Sequence, residues 1–249
     1  MRKILSWTRS LFRKSVKINL EYPISWETMD FNDFRNVCII LSTPHGKQET
    51  LFLCLCKLAH IRPDDYRKYN PKAIKNKMPF IINGKSYIIS AKVIAAACEQ
   101  LSFIFDDIGL PPAPFIDVDR KLYGISFNQF FKADSLILAG IAQNNGKMLA
   151  DAAKCLTNGK VRRLLPWQRK AIIIWWNGLK KYLKEKFPEV FQDSSGNFSE
   201  KTQAEILNEL LSTMNENRPQ ENEKILACDV HSVLYSLNRI YENAKQRVS

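Results

Sequence analysis

Apolar residues recur three or four positions apart over most of this chain, the spacing of helices that bury one face, and alternate with polar residues in only a few short stretches. Asp30 precedes a run with Phe34, Val37, Cys38, Ile40 and Leu41 on one face, which predicts a helix capped by Asp30 and stopped by Pro44 and Gly46. Over 48–60 the apolar positions Leu51, Phe52, Leu53, Leu55 and Leu58 cover most of the circumference, so a central, buried helix is expected. Arg62-Pro63-Asp64-Asp65 closes it, and the basic, proline-interrupted stretch 66–77 reads as a surface loop.

Alternation marks the β elements. Val16, Ile18, Leu20 and Tyr22 follow the period of a half-buried strand that ends at Pro23. Two β-prone runs, 78–82 and 85–89, flank Asn83-Gly84; both turn residues tolerate positive φ, which predicts a type I′ hairpin. Ser90 then caps an alanine-rich helix to about Phe105, ending near Gly109. Leu110-Pro111-Pro112-Ala113-Pro114 reads as a rigid connector, since an SH3-type ligand would carry a flanking basic residue close by.

Ser126-Phe127-Asn128-Gln129 is a capping box and opens a helix through about Ala142. A short helix over 147–156 ends at Asn158-Gly159, and Pro166 suits the first turn of the longest helix, 167–187, which Pro188 stops. Thr202-Gln203-Ala204-Glu205 opens another helix by the same capping logic. After a polar break over 215–222, the last helix, 223–246, carries Ile225, Leu226, Val230, Val233, Leu234, Leu237, Ile240 and Tyr241 on one stripe. The expected fold is mainly α (α+β): a helical domain with one small β-hairpin element and a C-terminal amphipathic helix. The expected organisation is a basic amphipathic N-terminal arm over 1–17, a mainly helical core domain over 18–190 with the hairpin near 79–89, and an acidic C-terminal helical region over 191–249. No repeat at solenoid periods is present.

With 249 residues, 45% hydrophobic and 25% charged, the chain is long and apolar enough for a real core, which excludes wholesale disorder. Nine glycines argue against glycine-rich phosphate loops and turn-dense β architectures. Cys38, Cys54, Cys56, Cys98, Cys155 and Cys228 lie almost all in apolar, helix-like stretches and read as reduced, buried thiols. The arm over 1–17 places its apolar residues mostly at helical spacing but has no continuous apolar core or cleavage site of a signal peptide; it reads as a loosely packed terminus, with a membrane-surface role as the weaker reading. The longest apolar run elsewhere, 171–176, is far short of the roughly 20 residues a membrane span needs. A cytosolic protein without an integral membrane segment is expected.

The formal charge is +12, from 37 Lys and Arg against 25 Asp and Glu, and it is unevenly spread. Stretch 57–92 holds nine basic residues against two acidic, 159–186 nine against one, and 187–249 six against ten. Within 159–186, Arg162, Arg163, Arg169, Lys170, Lys180, Lys181 and Lys184 surround Trp175 and Trp176, a combination of charge and rings found in nucleic-acid binders. Ile172, Trp175, Trp176, Leu179 and Leu183 also fall at helical spacing, which favours tryptophans facing a core and lysines facing solvent. Such a basic face equally suits an acidic protein partner or the acidic C-terminal region.

Catalytic patterns are sparse. His45 lies in a turn, His60 near a helix end and His231 in the last helix; Cys56 and His60 are two possible ligands without a second pair. Asp64-Asp65, Asp106-Asp107 and Asp117-Val118-Asp119 sit at loops or helix ends without an accompanying Lys or His constellation. No Walker loop, G-x-S-x-G or H-E-x-x-H occurs. The expectation is no enzyme, no metal and no cofactor.

Three stretches carry a family resemblance: Ile24-Ser25-Trp26-Glu27-Thr28-Met29 before a helix, Leu51-Phe52-Leu53-Cys54-Leu55-Cys56-Lys57-Leu58, and Leu165-Pro166-Trp167-Gln168-Arg169 leading to Trp175-Trp176-Asn177-Gly178. From about residue 18 onward the chain resembles phage and prophage proteins encoded beside tail-morphogenesis genes, of the tail-assembly-chaperone kind. The resemblance implies a non-enzymatic factor in the host cytoplasm that keeps a tail protein, the tape measure or the tail tube, soluble during assembly without a cofactor. It implies framework roles for Trp26 and Trp167, and makes the surface of Arg162, Arg163, Arg169, Lys170, Lys180, Lys181 and Lys184 the first candidate partner or anion site. The alternative is a sequence-tolerant nucleic-acid-binding protein of phage or mobile-element origin. That protein would gather Lys72, Lys75, Lys77, Arg162, Arg163, Lys180 and Lys184 on one exposed face, whereas a chaperone would show an apolar groove or patch on the order of several hundred Å².

Overall fold

A computed structural model describes residues 2–8, 17–68, 76–191, 203–215 and 218–247. The chain divides into two compact units, Met1–Pro112 and Ala113–Ser249. The division falls at the proline stretch read as a connector, inside the region 18–190 expected to be one domain, and the acidic region 191–249 belongs to the second unit. The second unit is mainly helical, while the first mixes helices with strands and holds all the strands among the described residues.

In the first unit, β1 (Arg2–Thr8) pairs antiparallel with β2 (Lys17–Pro23). β2 is the strand read from alternation. Part of the arm read as helical is thus a strand: the open edge of β2 offers a row of N–H and C=O groups, and an extended partner satisfies them. Residues 1 and 9–16 of the arm lie outside the described residues.

A turn follows in which Thr28 Oγ1 accepts the N–H groups of Ile24 and Ser25, both at 3.2 Å. Asp30 caps α1 (Phe31–Leu41) as read, its carboxylate accepting the Asp33 N–H at 2.8 Å. α2 (Lys47–Leu58) buries Leu51, Cys54, Leu55 and Leu58. The chain then reverses at His60, φ 52°, into β3 (Ile61–Pro63), which pairs with β4 (Lys77–Ile82), which pairs with β5 (Lys85–Ser90), all antiparallel. Asn83 and Gly84 have φ of 49° and 75°, the left-handed pair that a type I′ turn requires.

The alanine-rich helix is shorter than read, and Ser90 before it makes no side-chain capping bond. α3 (Ala91–Gln100) stops, and α4 (Phe103–Asp106) begins after a tight turn in which Leu101 and Ser102 donate three residues back, to Cys98 and Glu99, at 3.0 Å each. The turn swings Phe103 edge-on to Trp26 at 5.6 Å, and Phe34 meets the same indole at 6.0 Å. Trp26 is 1% exposed and its indole N–H donates to the Asp107 carbonyl at 3.1 Å.

In the second unit, Ser126 and Gln129 make both bonds of the capping box that opens α5 (Phe127–Ala142). α6 (Gly146–Leu156) folds back beside it, and α7 (Pro166–Lys186) begins at its proline. α8 (Gln203–Asn215), α9 (Asn222–Ala227) and α10 (Val230–Gln246) complete the unit. The single last helix read from periodicity is broken at Cys228-Asp229, because the backbone there is recruited by the start of α5. Phe127 N–H donates to Cys228 O at 2.8 Å and Val230 N–H to Ile125 O at 2.9 Å.

Candidate functional site

α7 carries the basic surface expected from the sequence. Its apolar face, Ala171, Ile172, Trp175, Trp176, Leu179 and Leu183, is buried. Steps of seven, four and three residues therefore place Lys170, Asn177, Lys181 and Lys184 on the opposite face, where all four are exposed. Arg162 and Arg163 are exposed in the extended segment before the helix. Arg169 is exposed too, with its guanidinium laid over Gly146: a Cβ on that glycine would come within 2.8 Å of Arg169 Cζ.

Lys180 departs from this group. Its ammonium turns toward α5, bonding the Asp134 carboxylate at 3.0 Å, and lies 5.9 Å from the Phe130 ring and 5.5 Å from the Phe191 ring. Trp175 and Trp176 are buried, with their N–H groups given to Arg120 O at 2.9 Å and to Asp134 at 2.8 Å. The two tryptophans that the sequence sets among these cations thus face the core and not the basic surface. Lys72 and Lys75 lie outside the described residues, and Lys77 belongs to the first unit. Trp167, the other residue with an implied framework role, is partly exposed.

Beside Lys180 the second unit holds a cavity of about 530 Å³. α5 supplies Phe127, Phe130, Phe131 and Leu138, α8 supplies Ile206 and Leu210, α10 supplies Leu234 and Tyr241, and Val190 and Phe191 close one side. Its polar groups include Asp134 and Lys180, which bond each other, so the charge on that wall is internally compensated. A space of this size with aromatic and aliphatic walls is in the range that accepts a drug-sized ligand or a few large side chains. The capping box and the apolar stripe of α10 announced the helices. No linear signal announced a cavity assembled from four separated stretches.

Four of the six thiols are held toward their protonated form. Burial, reinforced by Cys98 nearby, pushes Cys54 and Cys56 up to about 12, and burial raises Cys98 and Cys155 as well. None of the six cysteines forms a disulfide, and Cys228, read as buried, is exposed at the break before α10. His60 is exposed at its turn, and His45 contacts Glu49 at 3.3 Å. The paired carboxylates are used locally. Asp64 accepts Ser86 Oγ at 2.8 Å and Lys68 at 3.0 Å, Asp106 accepts Lys47 at 2.9 Å, and Asp117 accepts Lys160 at 2.7 Å. Among the described residues no three His, Cys, Asp or Glu side chains gather where a metal ion could be held, and no helix is long and apolar enough to cross a membrane. No protein family, curated protein or solved structure matches this chain.

Proposed function

We propose that this chain is a non-enzymatic, protein-binding factor of phage tail morphogenesis, which holds an apolar segment of a tail protein, the tape measure or the tail tube, in the cavity of its second unit. The observation that carries this reading is the cavity itself, walled by Phe127, Phe130, Phe131, Ile206, Leu210 and Leu234 with its Lys180–Asp134 pair already neutralised. Apolar client side chains that enter it leave water, which is the driving force a holding factor needs and which requires no cofactor. Exposed Leu138 and Ile141 on α5 extend apolar surface from the cavity wall toward solvent. The test is co-expression of the full chain with a tape-measure protein that is insoluble alone. The parent chain is expected to bring the client into the soluble fraction. Leu210→Asp is expected to abolish that effect while circular dichroism and the melting profile stay those of the parent. A client that remains insoluble with the parent overturns the reading.

One observation favours the alternative of sequence-tolerant nucleic-acid binding: Lys170, Lys181 and Lys184 share one exposed face of α7, with Arg162 and Arg163 just before it. Phosphate contacts from these residues would release counterions, so affinity for DNA would fall linearly in log–log form as salt rises. Titration of labelled single- and double-stranded DNA across a salt series decides. Micromolar binding with a slope of several counterions puts this reading in place of the first.

A further inference from the structure

A second group of side chains in the Ala113–Ser249 unit lies apart from the residues that line the cavity and from the exposed stripe of α7. Tyr123, in the loop before α5, stacks on His231 of α10 with ring centres 4.3 Å apart. Lys186, the last residue of α7, places its ammonium 3.3 Å from the Tyr123 hydroxyl and 3.3 Å from His231 Nδ1, and 5.8 Å from the centre of the Tyr182 ring. Lys121 approaches that same Tyr182 ring at 4.9 Å. Two cations and two phenols therefore converge on one patch.

The carboxylates nearby bond the backbone and keep their charge, but they do not reach the two ammoniums. Nearby carboxylates give their oxygens to the backbone: Asp119 accepts the N–H groups of Lys121 at 2.7 Å and Tyr123 at 3.2 Å, and Asp229 accepts those of Gly124 and His231, both at 2.9 Å. Among the described residues no carboxylate forms an ion pair with Lys121 or Lys186. His231 Nε2 sits 2.7 Å from the Lys121 carbonyl, so its N–H belongs there, and Nδ1 is an acceptor for Lys186. The Tyr123 oxygen accepts from Tyr182 and from Lys186, which leaves its own proton to give. The bond from Tyr182, with the Lys186 ammonium, holds the Tyr123 phenol below its ordinary value. Burial opposes the charge on Lys186, yet its bonds to Tyr123 and Tyr182 keep it above its own.

We infer that Lys121, Tyr123 and Lys186 form a binding site for a phosphate oxyanion, free or carried on a small ester, with Tyr182 and His231 holding the donors in place. A phosphate oxyanion can take two ammoniums that no carboxylate contacts together with a phenol proton, because its oxygens accept donors from several directions. Tyr123 is half exposed, so the ligand reaches the site from solvent. This inference is independent of the client-binding reading.

The test titrates the purified full chain with inorganic phosphate and, separately, with adenosine monophosphate at constant ionic strength, by calorimetry and by the imidazole nitrogen resonances of His231. Saturable binding is expected, with the His231 signals moving because the ligand draws Lys186 away from Nδ1. Lys186→Met and Tyr123→Phe keep the alkyl stem and the stacked ring, and each should weaken binding by about tenfold or more, the effect of losing one hydrogen bond to a charged group. Lys154→Met, on the exposed side of α6, should leave binding unchanged. Tighter binding of the nucleotide than of phosphate identifies an ester ligand, and the reverse identifies the free oxyanion. Absence of binding by both probes overturns the inference, as does equal weakening by Lys154→Met, or parental affinity in both Lys186→Met and Tyr123→Phe.

Discussion

The indole N–H of Trp176 donates to the carboxylate of Asp134 at 2.8 Å, with both side chains buried and carried by different helices. The second carboxylate oxygen takes the Lys180 ammonium at 3.0 Å, so one acidic group satisfies two donors that α7 brings to the wall of the cavity. Phe130, one turn before Asp134 on α5, stacks on the same indole at 5.8 Å.

Asp134→Ala should therefore destabilise the protein more than its size suggests. The variant leaves the Trp176 N–H buried without an acceptor, at about 1–3 kcal/mol, and also removes the partner of Lys180. Lys180 is 35% exposed at its side chain and can rehydrate, which limits its share. A loss of about 2–3 kcal/mol in urea denaturation is expected, with Asp134→Asn recovering part of it because the amide retains an acceptor. Equal stability of Asp134→Ala and the parent would show that the two donors find water instead.

Asp229→Ala removes the N-cap of α10. Its carboxylate accepts the His231 N–H and the Gly124 N–H, so one substitution frees two backbone donors. The expected cost is about 1–2 kcal/mol, with Asp229→Ser restoring much of it through its hydroxyl. Denaturant midpoints of the three proteins check this, and a serine variant no better than alanine would remove capping as the explanation.

Three signals that complete themselves within four residues were legible, though the cap read at Ser90 is not made. Asp30 before α1, the Ser126–Gln129 box and Asn83-Gly84 each needed only local partners, and the structure uses all three as read. Elements decided by distant partners were not. β3 has three residues, one of them Pro63, so it has no alternation to detect and exists because Ile61 meets Ile82. The stripe of the last helix runs through Cys228-Asp229 without a gap, yet the start of α5 takes the backbone there. The candidate site divides along the same line. Period alone placed Lys170, Lys181 and Lys184 outward, while Lys180 turns inward because its acceptor lies 46 residues away on α5. The cavity and the group around Lys186 are assembled from such long-range neighbours and have no signature along the chain.

Gly140→Ala sets two known effects against each other. Alanine is favoured over glycine inside a helix by about 1 kcal/mol, which argues for stabilisation. A Cβ at this position of α5 would lie 3.0 Å from Leu149 Cδ2 and 3.3 Å from the Asn145 carbonyl oxygen. Leu149 can shift slightly, but the carbonyl belongs to the backbone of the α5–α6 turn and cannot, so overpacking of about 1–3 kcal/mol should prevail. A net loss of stability is expected in denaturation, and a gain would mean that α6 moves away from α5 at little cost.

His231 should make stability fall on mild acidification. Burial is the first cause that holds its imidazole below the ordinary value of 6.5, and the Lys186 ammonium adds to it, against the opposing bond to the Lys121 carbonyl and the charges of Asp229 and Asp119. The unfolded chain takes up its proton near the ordinary value and the folded chain only at lower pH, so between the two the unfolded state binds more protons. The contribution of His231 is thus fully present above the ordinary value and is lost as pH falls through the folded one. Protonation also converts Nδ1 from the acceptor of Lys186 into a donor facing a cation 3.3 Å away. His231→Gln cannot titrate and keeps an amide N–H that can reach the Lys121 carbonyl. Denaturation midpoints measured from about pH 7.5 to about pH 5 should drop more steeply for the parent than for His231→Gln. Comparing the two cancels every other titration, and parallel pH profiles would remove His231 as the source of the acid sensitivity.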